Sequence, residues 1–516
     1  MKGYNASLNI RIAANLINSK MLKMNLKQFN TFVNPSNNTL DLIFSDLNPI
    51  VITSSDPLMK NDPYHESSEI YLNIKINKTL LYNGKRKFNY NKSNYSMINN
   101  FLNQINWNSL AINNINTFTE KFYDVIYTSI NKYTPTYILK DSKYPCWFSI
   151  VLIRKISEKK KYHKLSKMYN EPYDKNKFEE LRSICKKLVS IDYKKYINSI
   201  ENDLITNDRN FWSFVNSRKN EYPNNFYYDN KNTCDSNDIV NLFAEFFSNV
   251  FSETNLPDFQ TNYNPIIDDI ISSIIVTDED VKRAINKLKE HNSAGPDGIP
   301  PIFIKKCMYN LIQPLKIMFN TSITSGIYPN KFKNSFILPI HKKGDKNNIR
   351  NYRPITILNS FAKIFDEIIY HYLFPYFLRF INEHQYGSVP GKSIVTNLLS
   401  YKEDILQSFY NNNYTISIYT DYKKAFDSIN HKLLIQKLNF YGICGNFLNW
   451  FTSYFSNRTQ QVKLCNFLSV KISVTSGIPQ GSHLSSILFN IFINDVICNI
   501  TSSSIKMYID DLKLYK

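Results

Sequence analysis

The sequence predicts an α+β chain of more than one domain, and three observations carry that prediction. Its 516 residues exceed the usual span of one compact core. From about residue 330 short apolar strands alternate with helices, whereas residues 81–265 read as mostly helical and polar and residues 1–80 as short strands and loops. Hydrophobic residues make up 43% and charged residues 20%, enough to bury real cores and to exclude wholesale disorder.

Each element has a local signal. In NTLDLIFSD, Leu40, Leu42 and Phe44 alternate around Asp41, a strand-like period of two. Residues 151–200 carry fourteen Lys/Arg against six Asp/Glu and interleave Tyr162, Tyr169, Tyr193 and Tyr196 with those cations. Lys159, Lys160, Lys161, Lys164 and Lys167 fall within one expected helix. Such a helix can track a phosphate backbone and stack bases, or it can be a solvated helical face. Thr277 followed by Asp280 is a capping-box signal, and Val281, Ala284, Ile285 and Leu288 then share a helical face before Gly295-Pro296 stops the pattern.

The charge balance of 62 Lys+Arg against 43 Asp+Glu gives a formal +19. That suits a polyanionic partner, nucleic acid or an anionic surface, although a codon bias toward lysine gives the same count. The seven cysteines at 146, 185, 234, 307, 444, 465 and 498 never form a C-x-x-C pair, which disfavours a zinc ribbon or a disulfide framework and fits a reducing compartment. The first twenty residues hold no continuous apolar run, so no signal peptide is expected. No eighteen-residue apolar stretch occurs, so no membrane partner is expected. The expected location is intracellular, in the nucleus, the cytoplasm or both.

Carboxylates mark the chemistry. Ile416–Thr420 alternates into Asp421, after which a helix is expected with Ile429, Leu433, Leu434 and Leu438 on its apolar face and Gly442 at its end. Asp421 is then either a group at the C-terminal edge of a strand, where α/β folds gather function, or the cap of the next helix. Ile505, Met507 and Ile509 alternate before Asp510-Asp511, and Leu512 and Leu514 resume after it, the pattern of a β-hairpin. Adjacent carboxylates repel, so this is either a solvated acidic turn or a cation site. With Asp421 nearby, three hard oxygen ligands suit Mg²⁺. Two such ions clamp an in-line phosphoryl displacement. Gly477-Ile478-Pro479-Gln480-Gly481 is a rigid turn in which Gly481 permits close approach and Gln480 can bond a base or sugar edge. Upstream, Lys342, Lys343, Arg350 and Arg353 offer cations to phosphate oxygens.

These segments resemble the reverse transcriptase of non-LTR, LINE-type retrotransposons, most closely the jockey group. The resemblance rests on SAGPDGIP at 293–300, NYRPI at 351–355, HQYGSVPGKS at 384–393, DYKKAFDSINH at 421–431, SGIPQGS at 476–482 and YIDD at 508–511, in the family's order. It implies a right-hand polymerase with fingers and a partial palm. Asp421, Asp510 and Asp511 would be the catalytic, metal-binding carboxylates, holding two Mg²⁺ with Mn²⁺ as an alternative. The Tyr422 carbonyl would assist them. Phe426 would be the gate that excludes a ribose 2′-OH. Lys342 or Lys343 with Arg353 would hold the incoming triphosphate, and Gln480 and Gly481 would flank that nucleotide. The implied partners are an RNA template, a DNA primer or target DNA, and dNTPs.

Two departures are local: Ser388 replaces an aromatic, and Ser485-Ser486 replace Gly-Pro. Segment 1–80 resembles the C-terminal remnant of an endonuclease/exonuclease/phosphatase-like domain, with Asp41 as a site aspartate and Asp62 with His65 as a water-activating pair. The expected organisation is this remnant, a helical basic linker over 81–265, an N-terminal fingers extension over 266–335 and a reverse transcriptase domain over 321–516. The chain stops five residues after Asp511, ahead of a thumb, which sets beside the polymerase reading the expectation that it binds nucleic acid without extending a primer. The competing readings are therefore a catalytically inactive nucleic-acid-binding remnant and, less well supported, an endonuclease.

Overall fold

The computed structural model describes residues 26–37, 39, 41–54, 67–72, 86–111, 114–138, 144–206, 222–223, 225–251, 269–422, 424–500 and 502–516. The chain separates into two compact units, Met1–Thr79 and Leu80–Lys516. In the first, Lys27–Gln28 pairs with Phe44–Ser45, and Ile50–Thr53 pairs with Ser68–Tyr71. The strand expected around Asp41 shrinks to Phe44–Ser45, and Leu42 lies half-exposed outside it. Leu40 lies outside the described residues.

Among its described residues, the second unit mixes helices with a five-stranded sheet, a three-stranded sheet and two two-stranded pairs, Arg86–Phe88 with Thr136–Ile138 and Phe226–Tyr228 with Lys231–Thr233. Described parts of 81–265, expected as a linker, and of 266–335, expected as an extension, share cores with residues farther along the chain. Helix Ile115–Tyr133 places Phe118, Phe122, Ile126 and Ile130 in the same core as Phe303, Phe319, Phe365 and Trp450. Those four positions recur every four residues, an apolar stripe that the segment's polar average conceals. Helix Ser236–Ser248 packs Val240, Phe243 and Phe247 against Ile337, Tyr352 and Val462. The SAGPDGIP segment closes the joint. Tyr123 donates to Asp297 Oδ2 at 3.0 Å and the Asp297 amide donates to Asn359 Oδ1 at 3.1 Å. A Cβ on Gly295 would lie 2.8 Å from the Leu358 carbonyl oxygen, so this approach needs glycine.

The basic stretch forms two long helices, Ile150–Tyr169 and Pro172–Thr206, joined at Asn170 in the left-handed region. Leu152, Leu181, Cys185 and Ile200 are buried, while Lys160, Lys161, Lys164 and Lys167 are exposed. Ser149 caps the first helix at the Leu152 amide, and its own amide donates to Asp192 of the second. Helix Asp278–Lys287 has both bonds of its capping box. Asp280 there is held down to about 2: burial raises it, but bonds from Thr277, Tyr372 and Arg283 outweigh that.

The larger sheet runs Tyr352–Leu358, Asn334–His341, Arg458–Leu464 and Phe467–Leu468, with Ile472–Val474 also on Arg458–Leu464. Its first pair is antiparallel and its second parallel. The smaller sheet has three strands in the order Ser417–Asp421, Asp511–Tyr515, Ser504–Tyr508. All seven cysteines are free. Among the described residues no helix is long and apolar enough to cross a membrane.

Candidate active site

The smaller sheet brings Asp421 and the Asp510-Asp511 hairpin together. Ile505, Met507 and Leu512 pack on Val496, Ile497 and Ile500. That apolar face fixes the register, because a slip of one residue would turn it outward. In the fixed register Asp421 lies directly opposite Asp511, and Asp511 opposite Tyr508. Opposite residues share a face, so Asp421 and Asp511 project to the same side. Ile509-Asp510 forms the two-residue turn between the strands. The expected hairpin therefore has Asp510 in its turn and Asp511 at the start of the return strand.

Asp421 is not a helix cap. The following helix runs His431–Phe440 and is capped by Asn430, whose side chain accepts from the Leu433 amide at 2.9 Å. Ile429, expected on that helix, is buried just ahead of it.

Like charges directly opposite each other in a sheet destabilise it. Burial raises the Asp510 carboxyl above its ordinary range, the charges of Asp511 and Asp421 raise it further, and Arg353 opposes them. Among the described residues no three metal-ligating side chains converge on one point as they stand. By chemistry and register these are nevertheless three hard oxygen donors suited to Mg²⁺.

The next loop reaches the larger sheet. Tyr422 follows Asp421, and burial raises its hydroxyl. The Phe426 ring stacks on Phe489 with centroids 4.7 Å apart, and its carbonyl accepts from the Ile478 amide at 2.9 Å. Thr356 donates its amide to the Gln480 carbonyl at 3.0 Å. Gly481 has φ +134, and a Cβ there would lie 2.6 Å from the Thr356 carbonyl oxygen. The Gly477–Gly481 turn thus sits between the Phe426 loop and the Tyr352–Leu358 strand that carries Arg353. Lys342 and Lys343 are exposed just beyond the neighbouring strand, where the Lys342 amide donates to Asn351. At the first departure Ser388 adopts φ +57, and at the second the Ser485 hydroxyl donates to the Pro479 carbonyl.

Three residues escaped the sequence reading. Both carboxylate oxygens of Asp427 accept from Gln480 Nε2, at 2.9 and 3.0 Å. Burial pushes its carboxyl up to about 6 against the opposing pull of Gln480 and Lys424. Asp366, fully buried and also pushed up to about 6 by burial, accepts from Ser482 and Tyr454 and so anchors the turn from its other side. Gln385, buried beside the hairpin, accepts from the Ile509 amide at 2.9 Å. The signals were modest: a carboxylate next to Phe426, a polar residue amid the apolar helix Ser360–Leu378, and the HQYG segment itself.

In the first unit Asp41 is exposed, and its carbonyl accepts from Asn30. Asp62 and His65 lie outside the described residues.

Residues 340–516, which hold every one of these site positions outside the first unit, match the model of the family described as reverse transcriptase (RNA-dependent DNA polymerase). That stretch is thus similar to reverse-transcriptase domains. Its relatives are retrotransposon polymerases: the chain is 29% identical over 229 residues to a probable RNA-directed DNA polymerase from transposon BS of Drosophila melanogaster, covering 43% of this chain and 24% of that protein. It is 27% identical over 230 residues to the RNA-directed DNA polymerase from mobile element jockey of the same organism, with the same coverage of 43% and 24%. The chain thus spans about a quarter of the length of these relatives. A solved structure of apo telomerase from Candida tropicalis, truncated from its C-terminal domain, is 13% identical with a TM-score of 0.26, covering 42% of this chain and 56% of that one.

Proposed function

We propose that residues 321–516 form fingers and part of a palm that carry out RNA-templated DNA synthesis for a non-LTR retrotransposon. The observation that carries this reading is the register that sets Asp421 opposite Asp511 with Asp510 in the turn, under the charge of Arg353. An uncompensated carboxylate trio costs stability and is kept where a divalent cation repays it. Asp421, Asp510 and Asp511 would hold two Mg²⁺, or Mn²⁺. The ions would supply neutralisation of charge developing on the reacting phosphate.

The substrates are a DNA primer, an RNA template and a dNTP. The primer 3′-OH forms a bond to the α-phosphorus, the bond to the β-phosphate bridge breaks, and pyrophosphate leaves. Arg353 with Lys342 or Lys343 binds the triphosphate as point and forked cations. Phe426, backed by Phe489, presents a rigid surface to the sugar. Gln480 and Gly481 border the nucleotide, with Asp427 aiming the Gln480 amide. The chain's own contribution is positioning and fixed charge.

The test is TTP incorporation on a poly(rA)/oligo(dT) duplex with Mg²⁺, for the 516-residue chain beside Asp421→Ala and Asp510→Ala. Incorporation that falls to the no-protein background in both variants supports the reading. Identical signals from all three proteins overturn it in favour of a nucleic-acid-binding remnant.

A further inference from the structure

The HQYG segment at 384–387 has no part in the chemistry above, yet it is built into the hairpin. The Met507 amide donates to the His384 carbonyl and the Tyr386 amide to the Met507 carbonyl, both at 2.9 Å. This short parallel bridge sets Gln385 beside the strand that leads into the turn. Gln385 is 1% exposed. Its Oε1 accepts from the Ile509 amide at 2.9 Å and from the Gly387 amide at 2.8 Å, and its Nε2 donates to the Ile509 carbonyl at 3.4 Å.

Ile509 is what makes these bonds informative. As the first turn residue it has φ +58, a left-handed conformation that strains a β-branched side chain. Such a conformation persists only where its surroundings over-determine it. Gln385 grips both polar groups of the Ile509 backbone. Gly387 lets the turn approach: a Cβ there would lie 2.3 Å from Ile509 Cγ1 and 2.4 Å from its amide nitrogen. Two further buried amides anchor the assembly, Asn490 to the Gly387 carbonyl at 3.0 Å and Asn397 to the Met507 carbonyl at 3.2 Å. The next residue along the chain is Asp510.

We propose that Gln385 is a positioning residue: it holds Ile509 in the left-handed turn and thereby aims Asp510 toward the face shared by Asp421 and Asp511. Glutamine suits the task because one group must accept from an amide and donate to a carbonyl of the same residue. Glutamate would meet the Ile509 carbonyl with a second acceptor. The inference rests on the metal-binding reading of the three aspartates.

The test is Mn²⁺ binding by the full 516-residue chain, read from loss of the free-ion electron paramagnetic resonance signal. Wild type is compared with Asp510→Ala, Gln385→Met and Gly387→Ala. Gln385→Met keeps the volume and removes both bonds. Gly387→Ala leaves Gln385 in place and pushes on the turn directly. Groups that orient metal ligands typically change affinity by about 10–100-fold when replaced, so each should weaken Mn²⁺ binding by about ten-fold or more. Unchanged binding in both variants, with Asp510→Ala impaired, overturns the positioning role and leaves the metal reading intact. Equal binding by wild type and Asp510→Ala overturns the metal reading and this inference with it. Amide exchange in the unaltered chain gives a measure that does not depend on variants folding. The Ile509 amide should exchange as slowly as the buried strand Ser504–Tyr508, and exchange at exposed-loop rates contradicts the clamp.

Discussion

Asp427 shows how a single residue ties stability to the site. Its carboxyl titrates at about 6, because burial outweighs the help of Gln480 and Lys424, whereas an unfolded aspartate titrates at about 3.9. The folded chain therefore holds that proton more tightly than the unfolded one. The resulting stability is present in full below about pH 4 and is lost as pH rises through about 6. Asparagine keeps an acceptor for Gln480 without the charge. Asp427→Asn should thus gain melting temperature relative to wild type as pH rises from 4 to 7, and a difference that stays constant across that range refutes the assignment. Phe426 makes the complementary case for selectivity. Backed by Phe489, its ring cannot retreat without disturbing the core. Phe426→Val should raise the rNTP/dNTP incorporation ratio, and an unchanged ratio in an active protein would remove the gate role.

At the scale of elements, local signals were legible where one short stretch of sequence determines the outcome. The capping box at Thr277, the alternation into Asp421 and the hairpin around Asp510 all formed, because each depends on neighbours within a few residues. The helix after Asp421 was harder. Residues 424–427 turn back to support the Gly477–Gly481 loop, so the helix begins only at His431. That support comes from bonds such as the Ser476 hydroxyl and Gln480 amide to Asp427, some fifty residues away, which no local pattern reveals. Helix Ile115–Tyr133 lies in the stretch read as mostly helical and polar, and its apolar stripe was not singled out because polar residues on its other side dilute it. The basic helices make their own prediction. Lys160, Lys161 and Lys164 are exposed on the Ile150–Tyr169 helix. Neutralising a phosphate contact lowers the salt dependence of binding by about one unit of slope per charge. Lys160→Gln/Lys161→Gln/Lys164→Gln in the full chain should bind single-stranded RNA more weakly and with a shallower salt slope. An unchanged slope would leave these lysines as a solvated face.

For the whole molecule, the candidate site is an assembly of pieces that the sequence scatters over more than 150 residues. Arg353, Gln385, Asp421, Asp427, Gln480 and Asp510 belong to five separate motifs, Asp421 and Asp427 sharing one, and they are linked by the bond of Gln480 to Asp427, the bonds of Gln385 to Ile509 and the charges of Asp421 and Arg353 on Asp510. The motifs marked which residues matter. They could not mark that Gln385 faces the Ile509 backbone or that Asp366 backs Ser482, since both contacts join segments more than a hundred residues apart. The central claim is that Asp421, Asp510 and Asp511 act together in template-directed nucleotide transfer. Single-nucleotide extension tests it most directly: a labelled DNA primer on an RNA template of defined next base, Mg²⁺, and each dNTP supplied alone. The account predicts one added nucleotide with the complementary dNTP, little with the other three, and none with Asp510→Ala. Extension that ignores the template base, or that persists unchanged in Asp510→Ala, would contradict it.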